Sequence, residues 1–328
     1  MLTVYDAADG ILVAREGLQT ITGAAVWIDL LNPTREEDVL VEQAVGIAVP
    51  TREEMAEIEA SSRLYQEGGA HYMTAVVLFQ PDNLAEPLVT TPITFILTDN
   101  RVITVRYAEP RGIKIFLSRV QKRDVACSTG PAVLVGLLEA IIDREADRVE
   151  RIQAEVDQLS QSIFGVKGAK GGGRTRALRF DVSIRQIGRE GDLTSRARES
   201  LLTLGRLLTY LAHVMSERGD DKALKARVKT ASRDVQSLAD HIGYLSAKIT
   251  FLLDATLGMI NNEQNTIIKI FSVLSVALMP PTLVGTIYGM NFKHIPELEW
   301  VWGYPFALGL MVLSGVLPYL FFKRKGWL

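Results

Sequence analysis

The sequence predicts an α+β domain that passes into a long helical stalk and then into two membrane-spanning helices at the C-terminus. Three observations carry this prediction. Two uncharged runs, Ile270–Tyr288 and Tyr304–Phe322, hold 19 residues each, which at about 1.5 Å rise per residue is roughly 28 Å, near the hydrocarbon thickness of a bilayer. Ahead of them, from about Pro131, apolar residues recur at helical spacing with few turn signals. Before that, the first hundred or so residues alternate β-rich runs with short capped helices. The expected division is 1–125 for a cytoplasmic α/β domain, 126–266 for the helical and stalk region, and 267–328 for a transmembrane hairpin with a basic tail.

In the N-terminal part, Tyr72–Phe79 reads as a strand, and Ile93–Thr98 with Val102–Tyr107 as a hairpin turning at Asp99-Asn100. Thr34 with Glu37, and Thr51 with Glu54, have the spacing of capping boxes, so each should open a helix. Further on, Leu138, Ile142, Val149, Ile152, Val156, Leu159 and Ile163 recur at steps that suit one helix face. The run Gly165–Gly173 should end that helix and link it to a second, roughly Arg176–Arg218. A third begins after Gly219-Asp220-Asp221, with Val235, Leu238, Ile242, Leu245, Ile249 and Leu252 in one heptad. No proline interrupts it before Pro280. The spacing therefore predicts one helix of about sixty residues, roughly 90 Å, running from stalk into membrane.

Several function classes find no support. A formal net charge of −2 gives no global case for nucleic acid. The glycines at 168–173 with Arg174-Thr175 approximate a phosphate-binding loop, but arginine replaces the lysine and a helix precedes the glycines, so a linker is expected and no nucleotide. Cys127, the single cysteine, excludes an internal disulfide and a thiolate cluster within one chain. The start, Met1–Asp6, lacks the basic and apolar regions of a signal peptide, so the N-terminal part is expected in the cytoplasm.

Hydrophobic residues make up 48 % of the 328 residues and are concentrated at the C-terminus. Buried helices of a soluble core seldom lack every charge over 19 residues, which favours spans at about 270–288 and 304–322 joined by a short outer loop, 289–303. Lys323-Arg324-Lys325 follows the second span, whereas the loop carries Lys293 with Glu297 and Glu299. The positive-inside rule then puts both termini in the cytoplasm and Gly289-Met290-Asn291 outside.

One face of the third helix is unusual. Steps of four and three from Asp254 reach Gly258, Asn261, Asn265, Ile268, Ser272, Ser275, Met279, Thr282 and Thr286. Polar or small residues thus hold a seam through an apolar segment whose bulky aliphatics lie mainly elsewhere. Close packing of two membrane helices would explain Ser272 and Ser275. It does not explain the continuation to Asn265, Asn261 and Asp254 on one side and to Asn291 on the other. A pore explains all of them, with Met279, Ile268 and Phe271 as apolar constrictions. Two spans cannot enclose a conduit, so this reading requires a homo-oligomer. The membrane potential supplies about 4.6 kcal/mol per 100 mV for a divalent cation, a roughly 2000-fold accumulation.

The hairpin, the stalk and Tyr288-Gly289-Met290-Asn291 together resemble the CorA family of magnesium channels, whose signature is Gly-Met-Asn after the first of two C-terminal spans. The resemblance continues through Phe292, Ile295-Pro296-Glu297-Leu298, Trp302-Gly303-Tyr304-Pro305 and the tail Lys323–Leu328. It implies a funnel-shaped homopentamer in a bacterial inner membrane, Mg²⁺ uptake with Co²⁺ or Ni²⁺ as further cargo, and closure by cytoplasmic Mg²⁺. Asn291 would form the outer ring meeting the hydrated ion, with Asp254, Asn265, Met279 and Thr282 lining the pore. Asp234 resembles one regulatory ligand position, although its spacing to Asp254 is about one helical turn short. Pro280-Pro281 stands where the family usually has one proline, and Ile268 with Phe271 where some members have Met and Leu. The resemblance leaves a Zn²⁺ transporter of the same superfamily as the alternative. His71, His213, His241 and His294 show no ligand spacing for zinc. A membrane-anchored enzyme or signalling module has no catalytic motif to support it, so the chain is not expected to be an enzyme.

Overall fold

A computed structural model of the chain describes residues 1–8, 11–16, 21, 23–80, 88–122, 127–165, 173–291, 296 and 300–326. It divides into two compact units, Met1–Lys170 with Val182–Leu252, and Gly171–Asp181 with Leu253–Leu328.

The first unit begins with strands β1 (Leu2–Ala8), β2 (Ile11–Glu16) and β3 (Ala25–Leu31), then helices α1 (Arg35–Val45), α2 (Arg52–Met55) and α3 (Ala60–Arg63). Strands β4 (Leu64–Glu67), β5 (Ala70–Phe79), β6 (Val89–Leu97) and β7 (Val102–Arg106) complete a seven-stranded sheet of order β2-β1-β3-β7-β6-β5-β4. Both capping boxes form: the Glu37 and Glu54 amides bond the threonine hydroxyls of Thr34 and Thr51, and each glutamate reaches back to its threonine's N–H. The expected hairpin is β6–β7, with Leu97 opposite Val102. The expected strand at Tyr72–Phe79 lies within β5.

The central pair, β3 and β7, is parallel, and both of its faces are covered. Ile28, Leu30, Ile103 and Val105 pack with Val41 of α1 and Met55 of α2 in one core. On the other face Trp27 meets Phe116 edge to face at 5.8 Å, on α4 (Arg111–Gln121). The same face buries a polar ladder. Trp27 donates to Thr104 at 2.9 Å, Thr104 to Asp29 at 2.6 Å, and Arg106 grips both Asp29 oxygens at 3.0 and 2.7 Å. A buried charge pair of this kind is tolerable only when it is fully hydrogen-bonded.

Helix α5 (Gly130–Phe164) follows, with Thr129 as its cap, then α6 (Gly173–Arg218) and α7 (Lys222–Tyr288). The linker expected at 165–173 lies largely outside the described residues. The heptad residues of α5 are buried, as are Val235, Ile242, Leu245, Ile249 and Leu252 of α7; Leu238 is half-buried. Arg227 pairs with Glu139 at 2.6 Å, His241 bonds Gln153 at 2.9 Å, and Lys248 pairs with Asp157. Numbers rise together on both helices, so α5 and α7 run parallel. Beyond short β4, the exposed edge of β5 is closed by these helices. Val76 N–H donates to the Thr203 hydroxyl and Leu78 N–H to the Glu145 carboxylate, each at 3.0 Å, while Arg148 donates to the Leu78 carbonyl. Such capping blunts an edge that would otherwise invite another strand.

The second unit contains the later part of α7 and α8 (Gly303–Arg324). Both helices are long and apolar enough to cross a membrane, and only 6 % of each apolar stretch is buried. That exposure argues against core helices of a soluble protein.

Candidate functional site

The geometry of the hairpin decides which face of α7 is free. Val273 is buried, and Ala277, Pro280, Pro281, Val284, Gly285 and Tyr288 are half-buried. Two close approaches define this packing. A Cβ on Gly285 would stand 3.3 Å from Met311, and one on Gly315 would stand 3.2 Å from the Ala277 carbonyl and 3.3 Å from Pro281. Small residues let the helices approach closely. Pro280 and Pro281 lack N–H groups, so the Val276 and Ala277 carbonyls lose their usual helical donors; α7 nonetheless remains one helix through both prolines.

Asp254, Gly258, Asn261, Asn265, Ile268, Ser272, Ser275, Met279, Thr282 and Thr286 are all exposed. At about 100° per residue, this seam lies roughly opposite the face that packs on α8. Phe271 falls on the same side and is 65 % exposed, and Met279 is 70 % exposed. The Thr282 and Thr286 hydroxyls donate to the Leu278 and Thr282 carbonyls, both at 2.8 Å. Their donor capacity is spent inside the helix, which leaves their oxygens as acceptors toward the seam.

The helix ends at Tyr288, so Asn291 is not a further helical step along the seam. The Gly289 N–H bonds the Gly285 carbonyl at 3.0 Å and the Met290 N–H the Ile287 carbonyl at 3.3 Å, after which Asn291 stands exposed outside regular structure. The glycine is needed here for space: Gly289 is not among the left-handed glycines, but a Cβ on it would lie 3.1 Å from the Gly285 carbonyl. Of the remaining signature residues, Phe292, Ile295, Glu297, Leu298, Trp327 and Leu328 lie outside the described residues, as do Lys293, His294 and Glu299.

Asp234 is exposed on α7, in the first unit. Among the described residues no group of three or more His, Cys, Asp or Glu side chains comes together to hold a metal. The described histidines are dispersed: His71 bonds Tyr210, His213 pairs with Glu217, and His241 bonds Gln153. Cys127 is buried, and burial raises its thiol to about 11. The contacts of Gly315 and Gly285 were missed by sequence reasoning, although small residues at the seam of two apolar helices are a signal for them.

The family model described as CorA-like Mg²⁺ transporter protein matches residues 22–324. The magnesium transport protein CorA of Haemophilus influenzae is 34 % identical over 329 residues, covering 100 % of both chains. That of Escherichia coli K12 is 34 % identical over 304 residues, covering 93 % of this chain and 92 % of the relative. Among solved structures, the complete CorA magnesium transporter from Methanocaldococcus jannaschii superposes with a TM-score of 0.79 at 17 % identity, covering 100 % of this chain and 99 % of the other.

Proposed function

Because the chain belongs to the CorA-like Mg²⁺ transporter family, matched over residues 22–324, we propose that it is a channel-type pathway for Mg²⁺ uptake, driven by the membrane potential. In this reading it assembles as a homopentamer in a bacterial inner membrane with both termini cytoplasmic. The seam of α7 faces the symmetry axis, and α8 packs outside it. The observation that carries the proposal is the exposed polar seam opposite the α8-packed face. A helix that only anchored the chain would have no use for Ser272, Ser275, Thr282 and Thr286 in one line.

At Asn291 the chemistry suits a hydrated cation. Mg²⁺ loses water reluctantly, and a ring of amide carbonyls can accept hydrogen bonds from its hydration shell. A ring of carboxylates would hold the ion too tightly to pass it on. Below it, Thr282, Ser275 and Ser272 offer oxygens in successive rings, Met279, Phe271 and Ile268 supply apolar constrictions, and Asn265, Asn261 and Asp254 continue the path inward. Gly258 keeps that lower stretch wide. Co²⁺ and Ni²⁺ are further cargo in this reading, and cytoplasmic Mg²⁺ closes the pore by bridging carboxylates between subunits, with Asp234 as one ligand.

The test is flux into proteoliposomes loaded with a Mg²⁺-sensitive dye. Wild type should take up Mg²⁺ faster under an inside-negative potential, and Asn291→Ala should lose most of that uptake. Equal, robust flux in both would remove the role of Asn291. Zn²⁺ flux without Mg²⁺ flux would replace the cargo.

A further inference from the structure

The first unit contains a cavity of about 200 Å³ between α4, α5 and α6, at the end of β5. Its wall is dominated by arginine: Arg111 from α4, Arg144, Arg148 and Arg151 from α5, and Arg189 from α6. Three carboxylates, Asp147, Glu155 and Asp192, share the wall, and the two aspartates are already paired. Asp147 pairs with Arg144 at 2.6 Å, and Asp192 with Arg196 at 3.0 Å. Glu155 stands beside buried Glu190, and its charge raises the Glu190 carboxyl. Arg148 is held by Glu145 at 3.1 Å. Among the described residues, Arg111, Arg151 and Arg189 have no carboxylate within ion-pairing distance.

Two further observations favour an anion at this wall. The Arg144 Nε is buried with no hydrogen-bond partner, and an unsatisfied buried donor is costly to leave so. Helix α4 begins at Arg111 with Pro110 as its cap and no side chain bonding its free N–H groups, so its N-terminus offers positive potential beside the guanidinium. Crowding of like charge is evident as well: burial first, and Arg144 and Arg111 with it, hold the Arg148 guanidinium below its ordinary pKa.

We propose that this arginine-walled cavity binds a small, multiply charged oxyanion of the phosphate or pyrophosphate class, taken from solution. The cavity is smaller than the roughly 300–1,000 Å³ of pockets that take drug-sized ligands, so one or two phosphoryl groups fit its size and a whole nucleotide does not. Guanidinium groups suit the task because each presents paired donors to two oxygens of one anion. An anion there would cross-link the start of α4 to the middle of α5 and the first half of α6.

The test is calorimetric titration of the full chain in neutral detergent and metal-free buffer with sodium pyrophosphate, and separately with sodium phosphate. At least one of the two should bind saturably. Arg151→Ala and Arg189→Ala should each weaken it by about tenfold, the worth of one charge-assisted hydrogen bond, while Arg233→Ala, exposed elsewhere on α7, should not. Arg151 and Arg189 make no structural ion pair, so these variants should melt like wild type. No binding of either anion at millimolar concentration would overturn the proposal, as would affinity unchanged in both variants. Binding that requires phosphatidate in nanodiscs, with none to the free anions, would overturn it too.

Discussion

The two compact units handle polar groups in opposite ways. In the first, Asp29, Arg106, Thr104 and Thr203 are buried, and their side chains are hydrogen-bonded to strands or to neighbouring side chains. In the second, serines, threonines and asparagines stand exposed along α7, while Leu274, Leu278, Leu283 and Phe321 are about half exposed around them. Water as the only solvent would favour neither the long apolar surface nor a single polar line through it. The first unit buries its apolar residues in a core of its own, whereas the second leaves apolar and polar faces exposed, which the proposed channel would cover with lipid and with further copies of the chain.

The comparison breaks most severely at Asp29. Asp29→Ala strands the Arg106 guanidinium, and removing one partner of a buried pair costs about 3–5 kcal/mol; a thermal melt in detergent should show a marked loss of stability. Glu190 comes next. Burial and Glu155 raise its carboxyl to about 7, above its unfolded value. The native state therefore holds a proton that the unfolded state releases, and stability present in acid is lost as pH rises through about 7. Glu190→Gln should remove that slope, with a gain of up to about 3 kcal/mol above pH 7.5 relative to its effect at pH 4. A wild-type melting temperature flat across this range would contradict the assignment. In the hairpin, Gly315→Val has no room against Ala277 and Pro281, and overpacking should cost about 1–3 kcal/mol. The smallest effect on stability belongs to the seam: Ser275→Ala should change melting by less than about 0.5 kcal/mol and yet alter flux. Asp234→Ala should weaken closure by internal Mg²⁺ without moving the melt, and unchanged inhibition would dismiss it as a ligand.

What was legible in the sequence follows the same division. Helical periodicity fixes which residues share a face, so the sequence alone lays out the seam from Asp254 to Thr286. Capping boxes and the β6–β7 hairpin are local signals and are found where expected. Long-range pairings carry no such mark. Nothing around Thr203 announces that its hydroxyl will close the edge of β5 at Val76, 127 residues away, and nothing in β3 predicts its parallel neighbour β7. The arginines that meet at one cavity come from three helices, each with its own unremarkable charge pattern. Periodicity lays out the seam only as far as the helix reaches, to Tyr288; Asn291 lies beyond it, in the turn.

The central claim is that the seam of α7 lines an aqueous path while its flanks do not. Single cysteines placed in a Cys127→Ser background at Ser272, Ser275, Met279 and Thr282, and in parallel at Ile267, Ile270 and Leu274, which lie away from the seam at about 100° per residue, can be treated with a charged thiol reagent during Mg²⁺ flux into proteoliposomes. The account predicts modification and block at the four seam positions and neither at the three flanking ones. Equal reactivity at both sets, or block confined to the flanking set, would contradict it.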